Sequence, residues 1–255
     1  MNMLISLRSE ILKSKRTASI YLTIIAAAFG PFMSVLDTLF DEVIRPEEEK
    51  VFFNIIMIEK FQMTAFLVFP FFVILICTLL PQLEYKNNTW KQLLTSPQTK
   101  MNVFAAKFIN VHRLIIIFLI VNQCCTLIYA VIIHLAKPSL DLLNQPVNVS
   151  EVVLHVVSSY ISLLALISIQ FWLGLRFRNF IAPIGIGVAV WFLGSLMVMN
   201  MKAPLAEYFP YSYHVYAAFP ESRLNFDNVR WMSAGYAVLF LLIGFLDFKK
   251  RRMSS

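Results

Sequence analysis

Six long apolar stretches, separated by polar segments, organise the sequence. Each is about as long as the roughly 20 helical residues that cross a hydrocarbon core of about 30 Å. The pattern therefore predicts an all-α integral membrane protein in which one helical membrane domain, 1–255, takes up the whole chain. The predicted spans are approximately 18–40, 61–80, 114–135, 152–175, 180–201 and 231–248.

The first 16 residues form an amphipathic segment in front of the first span. Apolar residues recur there at helical spacing while charged residues occupy the other side. A basic amphipathic helix beside a span usually lies in the headgroup plane. We predict an N-terminal elbow helix over 1–16 that either only anchors the chain or also transmits motion. Its apolar residues are Met3, Leu4, Leu7, Ile11 and Leu12.

Lysine and arginine residues are distributed unequally between the two sides of the predicted membrane. With the N-terminus inside, fifteen of the 22 lie in inner segments and seven in outer ones. By the positive-inside rule, this asymmetry predicts that both termini are cytoplasmic. The net charge of +7 is then a topology signal, and it argues against a nucleic-acid-binding protein.

Composition leaves little room for catalysis. Hydrophobic residues make up 58% of the chain and charged residues 15%, against about 25% charged in soluble domains. Cys77, Cys124 and Cys125 lie in predicted spans and have no metal-ligand spacing. The sequence lacks the G-x-x-x-x-G-K-[ST] phosphate loop. We therefore predict a chain that is not an enzyme and that binds no cofactor or metal itself.

Prolines interrupt three of the predicted spans, at Pro31, Pro70 and Pro183. Each removes a backbone donor and is expected to bend its helix. We predict that these positions are hinges, although proline is also simply commoner in membrane helices than in soluble ones. Both interpretations stay open.

The segment 81–113, between the second and third spans, is basic and carries a tryptophan. Asn87 and Asn88 are good N-cap residues for a short helix. In such a helix three apolar residues share one face. That face could insert into a groove on a partner protein or lie on the inner leaflet, and the residues alone do not separate the two. The three residues are Trp90, Leu93 and Leu94.

Polar and aromatic residues in or near the spans form a further group of candidates. Asn122, Gln123 and Gln170 lie within predicted spans, where amides either line a pathway or form interhelical hydrogen bonds. The outer segment 202–230 is rich in tyrosine, phenylalanine and proline. It is either an interfacial aromatic belt or a set of short helices that dip into the membrane.

Two motifs resemble a known family. The run EYKNNTWKQLLTSP at 84–97, followed by Lys100 and by AAK at 105–107, is similar to the first cytoplasmic loop of ABC-2-type transporter permeases. The run QFWLGLRFRNF at 170–180 is the second match. Within the family, the chain is most similar to permeases of lantibiotic immunity and bacitracin resistance. With the six spans and the basic C-terminus, the resemblance covers nearly the whole chain.

The resemblance implies a six-span ABC-2 architecture of the type V exporter kind, in a bacterial inner membrane. In such permeases the loop at 81–113 docks on a separate cytosolic ATPase subunit, which binds ATP and Mg²⁺. A second permease, identical or a paralogue, completes the export pathway. The implied substrate is amphipathic: a peptide antibiotic, a lipid or a hydrophobic drug.

The resemblance also assigns roles within the loop. Glu84 would pair with a basic residue of the ATPase or of the elbow helix, and apolar residues would dock on the ATPase. The implied coupling residues are Glu84, Asn87, Asn88, Trp90, Lys91, Leu93 and Leu94. The alternative function is an ion-coupled carrier or channel that works without an ATPase. It predicts a charge near the bilayer centre or an internal repeat, and the sequence has no clear instance of either.

Overall fold

The computed structural model describes residues 3–15, 17–40, 52–87, 89–90, 98–138, 144–219 and 226–250. Within these ranges the regular structure is helical and contains no β-strand. The elements are α1 Met3–Ser14, α2 Ala18–Phe40, α3 Phe52–Met63, a π-helical turn Thr64–Val68, α4 Phe69–Lys86, α5 Lys100–Ala136, α6 Val149–Ser162, α7 Leu164–Arg176, α8 Ile181–Met199, a 3-10 turn Pro204–Tyr208, α9 Tyr213–Ala218 and α10 Phe226–Lys250.

The helices confirm an all-α, multi-pass membrane protein. Five of the described helices are long and apolar enough to cross a membrane, and α6 and α7 together make a sixth if the bent pair is one span. The five are Ala18–Phe40, Met57–Lys86, Lys100–Ala136, Ile181–Met199 and Asn228–Lys250.

The helices on either side of the predicted loop are longer than the sequence suggested. Helix α4 continues to Lys86, and α5 begins at Lys100 rather than near 114. Thr99 is the N-cap of α5, and its side chain accepts a hydrogen bond from the Asn102 N–H at 3.2 Å. The connection between the two helices therefore runs only from 87 to 99.

Helix α4 lies at the centre of the bundle. In the span that contains it, 61% of the most apolar stretch is buried inside the protein, against 22–39% in the other four. The rings of Phe69 and Phe72 stack on Phe118 of α5, with centroid separations of 5.1 and 4.6 Å. Since more than half of the residues in those stretches of the other spans are not buried, these spans surround α4.

A neighbouring side chain compensates for the backbone donor that Pro31 removes. In a regular helix the N–H at position 31 would bond to the carbonyl of Ala27, but proline has no N–H. Asn122 of α5 donates from Nδ2 to that carbonyl at 2.8 Å. The amide therefore satisfies a carbonyl that would otherwise be unpaired inside the bundle.

Pro81, inside α4, also leaves a carbonyl that contacts a neighbouring helix. It leaves the carbonyl of Cys77 without its helical donor, and this carbonyl faces Gly174 of α7. A Cβ atom placed on Gly174 would lie only 2.3 Å from the Cys77 oxygen. The glycine allows the two backbones to approach closely, a geometry that favours a weak Cα–H···O contact.

The other two prolines are accommodated within their own helices. Pro70 follows the π-helical turn, where the Phe69 N–H bonds five residues back to the Thr64 carbonyl. Pro183 lies in the first turn of α8, where backbone N–H groups have no intrahelical partner in any case. The hinge roles of Pro31, Pro70 and Pro183 stay predictions.

A sharp bend occurs at a position that the sequence analysis did not single out. Helices α6 and α7 meet at an angle of 41° around Leu163. Ser233 of α10 is fully buried at this break. Its single O–H is shared between the carbonyls of Ile161 and Ser162, at 2.7 and 3.0 Å, and its oxygen accepts from the Ala165 N–H at 3.2 Å. One serine thus satisfies several backbone groups where the helix is interrupted.

The described part of the outer aromatic segment is folded into the bundle. Every residue from Tyr211 to Ala218 is buried, and a Cβ on Gly194 would lie 2.6 Å from the Tyr211 carbonyl. The His214 ring stacks on Phe66 and on Trp191, each at 5.8 Å. We call Phe66, Trp191, His214 and Phe219 the aromatic cluster. Of the two interpretations of this segment, the burial favours short helices that dip inward and argues against an aromatic belt on the surface.

Candidate functional site

Four charged side chains meet at the end of the bundle where α1 lies, which we call the α1 end. Lys107 of α5 is 3% exposed and donates to Glu10 of α1 at 2.9 Å and to Glu84 of α4 at 3.0 Å. Lys13 of α1 donates to the same two carboxylates at 3.0 and 2.7 Å. We call Glu10, Lys13, Glu84 and Lys107 the ion cluster. It joins three helices through alternating charges.

Lys13 closes the cluster on its solvent side. Partial burial acts to lower its pKa, but the charge of Glu10 and the hydrogen bond to Glu84 outweigh burial, so the pKa is raised above its usual value. Its side chain is 37% exposed, so water screens the ion pairs of Lys13 more than it screens those of Lys107. The buried lysine therefore carries most of the structural constraint.

Polar groups around the cluster extend it along α1 and α5. Asn110 of α5 is buried and donates to the Glu10 carbonyl at 3.4 Å. Arg113 donates from Nε to the Asn110 side chain at 3.0 Å and from a terminal nitrogen to Ser14 at 2.8 Å. Helix α1 is thus held along α5 by both its backbone and its side chains.

Trp90, the predicted docking residue, is buried against the ion cluster. Its side chain is only 6% exposed, and Lys107 lies 5.4 Å from the indole centroid, in cation–π range. The ring also packs near Tyr85 and Phe248, at 5.2 and 5.9 Å. In this structure the indole fixes the start of the connection, and docking on a partner stays a prediction.

The remaining coupling residues are only partly described. Glu84 pairs with Lys13 of the N-terminal helix, one of its two expected kinds of partner, and also accepts from Thr89. Asn87 was expected to begin a helix but instead ends α4, and its N–H bonds to the Leu83 carbonyl at 3.2 Å. Four predicted residues lie outside the described residues: Asn88, Lys91, Leu93 and Leu94.

Sequence reasoning missed three members of the ion cluster as site residues: Glu10, Lys13 and Lys107. A signal was present, because Glu10 and Lys13 lie one helical turn apart on α1. Lys107 belonged to the resembling motif, but no pattern indicated that it is buried. Its partners come from two other helices, α1 and α4, which are far from it in sequence, so only the packing brings them together.

Two of the three candidate pathway amides serve as links between helices. Asn122 bonds to Ala27, as described above. Gln170 is fully buried and donates to the Pro183 carbonyl at 2.7 Å and to Thr78 at 3.3 Å, while it accepts from Tyr211 at 3.1 Å. Gln123 differs, because neither of its buried amide atoms has a partner among the described residues.

Further ties hold the α1 end to the C-terminal helix. Lys100 donates to the Lys249 carbonyl at 2.8 Å, and Arg176 pairs with Asp247 at 2.7 Å. Tyr85 joins α4 to α7 at the same end, because its hydroxyl donates to the Leu175 carbonyl at 2.7 Å. A force applied to the connection at 87–99 would therefore reach α1, α4, α5 and α10 together.

Comparison with known proteins places the chain in a family. No curated protein matches the sequence. A family model described as ABC-2 family transporter protein matches residues 6–194, which is more than half of the chain. That match includes the ion cluster, the connection at 87–99 and the bend at Leu163. The chain therefore belongs to the ABC-2 family of transporter proteins.

Proposed function

We propose that this chain is the permease subunit of an ABC exporter in a bacterial cell membrane, with both termini in the cytoplasm. Two permeases, identical or paralogous, form the pathway, and a separate cytosolic ATPase drives it. Helix α1 is the elbow helix of this assembly. The transported substrate is amphipathic, and the resemblance to lantibiotic-immunity permeases favours a peptide.

One observation carries the proposal: the ion cluster joins the start of the short connection to three helices. Glu84 lies at the end of α4 and Lys107 near the start of α5, with Trp90 packed beside Lys107. A subunit that moves the connection must therefore move α1, α4 and α5 with it. A rigid attachment of this kind suits a surface that transmits force from an ATPase.

The ATPase binds the connection through apolar residues at its centre. Leu93 and Leu94 are the residues we assign to this contact, because Trp90 is occupied inside the permease. Glu84 acts from within the ion cluster and does not reach the ATPase. Lys91 meets an acidic edge of the ATPase surface.

Co-purification with the cognate ABC ATPase tests the proposal. The full chain and an ATPase that contains a phosphate loop are co-expressed, purified and reconstituted in vesicles. We expect a stable complex whose ATP hydrolysis drives efflux of a fluorescent amphipathic peptide. Replacing both leucines, Leu93→Asp with Leu94→Asp, is expected to release the ATPase.

A matched leucine at the opposite end of the bundle supplies the control. Leu205 is 71% exposed and follows α8, far from the connection. Leu205→Asp is expected to leave the complex intact. Efflux of the peptide by the permease alone, without ATP, would contradict the proposal.

A further inference from the structure

Helix α1 packs against the bundle with its polar side. The residues that it buries are Ser6, Glu10 and Ser14, which recur every four positions and therefore share one helical face. Ser6 donates to the Gln98 side chain at 3.0 Å, and the other two bond to α5 as described above. An amphipathic helix on a soluble protein buries its apolar face instead. Helix α1 has the opposite orientation.

The exposed side of α1 combines aliphatic with basic side chains. Leu4, Arg8, Leu12 and Lys15 are all exposed, and their helical spacing places them in one row. We call these four residues the α1 row. Leu4 and Leu12 are 74% and 58% exposed. Lys15 still belongs to the helical row, because its N–H bonds to the Ile11 carbonyl at 3.1 Å. Leucines and cations thus alternate on the side of α1 that faces away from the bundle.

The charge on the α1 row is entirely positive. Glu10 is the only acidic residue between positions 3 and 15, and it is buried in the ion cluster. Neither Arg8 nor Lys15 pairs with an acidic side chain among the described residues. The row therefore offers two cations, with leucines between them, to an anionic partner.

The position of α1 along the chain places the row at the membrane surface. Helix α2, one of the membrane spans, begins at Ala18, directly after α1. At the boundary between headgroups and acyl chains, apolar side chains lie among methylene groups while basic side chains reach phosphates. Water offers the exposed leucines no apolar contact, whereas this boundary supplies both kinds of neighbour.

We propose that the α1 row binds anionic phospholipids. The guanidinium of Arg8 and the ammonium of Lys15 pair with headgroup phosphates, and Leu4 and Leu12 insert between the first methylene groups of the acyl chains. The buried polar face of α1 fixes which side of the helix meets the lipid. This interaction concerns the membrane surface and does not depend on the export function.

Photolabelling of the full chain in nanodiscs, without any ATPase, tests the proposal. The nanodiscs contain equal amounts of phosphatidylglycerol and phosphatidylcholine. A trace of one of these lipids carries a diazirine on its acyl chain, close to the headgroup. Mass spectrometry then measures labelling of the α1 peptide, so that lipids bound elsewhere on the protein do not contribute. We expect the phosphatidylglycerol probe to label α1 more strongly than the phosphatidylcholine probe.

Two double variants separate the roles of charge and of apolar insertion. Each basic residue near an anionic surface strengthens binding about fivefold. Arg8→Gln with Lys15→Gln is therefore expected to lower labelling of α1 by the phosphatidylglycerol probe about five- to thirtyfold and to leave the phosphatidylcholine probe unchanged. Leu4→Gln with Leu12→Gln should lower labelling by both probes.

Two controls accompany the charge variant. Lys202→Gln removes one positive charge from another exposed lysine, which follows α8 rather than lying on α1, and should leave the labelling of α1 unchanged. The unfolding midpoint in a neutral detergent should be the same for the unaltered chain and for Arg8→Gln with Lys15→Gln, because both side chains are exposed.

Four results would overturn the proposal. Equal labelling of α1 by both probes in the unaltered chain would mean that headgroup charge plays no part, and so would labelling that is insensitive to the charge variant. If addition of the ATPase abolished labelling by the phosphatidylglycerol probe, the row would belong to the ATPase. Disulfide formation between two copies of Leu12→Cys, absent from the unaltered chain, would assign the row to a second permease.

Discussion

The two ends of the bundle are held together by different chemistry. At the α1 end, four alternating charges join α1, α4 and α5, and Lys107 is almost completely buried among them. In the opposite half, ring contacts and a close backbone contact join the helices instead, and the rings of Phe66, Trp191 and His214 all touch one another. Ion pairs depend on exact partners, whereas apolar packing tolerates similar shapes. The α1 end is therefore the more specific of the two and the easier to break.

Removal of the buried lysine should give the largest effect. Lys107→Met leaves the carboxylates of Glu10 and Glu84 buried with the partly exposed Lys13 as their remaining positively charged partner in the ion cluster. We expect a loss of about 3–5 kcal/mol in the free energy of unfolding, as for other buried pairs that lose one member. Chemical unfolding of the purified protein in detergent micelles measures it.

An exposed ion pair at the same end is the control for that substitution. Arg176 is 56% exposed in its pair with Asp247, so Arg176→Met should cost less than about 1 kcal/mol. If Lys107→Met and Arg176→Met lowered the free energy of unfolding equally, burial of the ion cluster would contribute nothing to stability.

Two glycines test the close backbone contacts in the two halves. A Cβ atom on Gly174 would meet the Cys77 carbonyl at 2.3 Å, and one on Gly194 would meet the Tyr211 carbonyl at 2.6 Å. Each Gly→Ala change should destabilise by about 1–3 kcal/mol through overpacking. Gly235→Ala is the matched control, because nothing lies within 4 Å of its added Cβ. Thermal unfolding of the three variants ranks them, and a loss for Gly235→Ala equal to the others would contradict the argument.

A double-mutant cycle isolates the hydrogen bond between α2 and α5. Asn122→Leu removes the donor to Ala27 and should cost about 0.6 kcal/mol, the average for such bonds in membranes, and at most about 1.7 kcal/mol. In a Pro31→Ala background the helix supplies its own N–H to that carbonyl, so the same change should cost close to nothing. Unfolding of the four proteins gives the coupling energy. Equal costs in both backgrounds would mean that Asn122 does not compensate for the proline.

The smallest expected effect concerns pH. The raised pKa of Lys13 means that its pairing contributes fully below the ordinary lysine pKa and is lost as the pH rises through the higher folded value. Stability should therefore fall slightly more at alkaline pH in the unaltered protein than in Lys13→Met. Unfolding midpoints from neutral pH to above the ordinary lysine pKa measure the difference. Parallel curves for the two proteins would contradict the pairing.

Local sequence patterns predicted the helices but not the contacts between them. Apolar runs long enough to cross a membrane are a property of neighbouring residues, so the class of protein and most of its spans could be predicted. The start of α5 was placed too late because its first turns are polar, although Thr99 is a recognisable N-cap. The bend at Leu163 carries no proline or glycine signal, and Ser233, which satisfies it, lies on another helix.

The candidate site shows the same limit. Glu84 and Trp90 were selected from a motif, and the structure places both at the ion cluster. The motif gave no information on burial, so Trp90 was expected on the surface. The partner of Asn122 could not be predicted. It is the Ala27 carbonyl of a different helix, which lacks its helical donor because Pro31 has no N–H. Such pairings arise from tertiary packing.

Helix α5 has one further consequence, which comes from its length. It has 37 residues and contains neither proline nor glycine, so it is a rod of about 55 Å, far longer than the core of about 30 Å. If a helix of this length tilts at Lys107, each residue in its far half is displaced by an amount that grows with its distance from Lys107. Gln123 and Leu127, which face α3 and α6, lie along that half. The position of this part of α5 is thereby tied to the ion cluster, where α1, α4 and α5 meet.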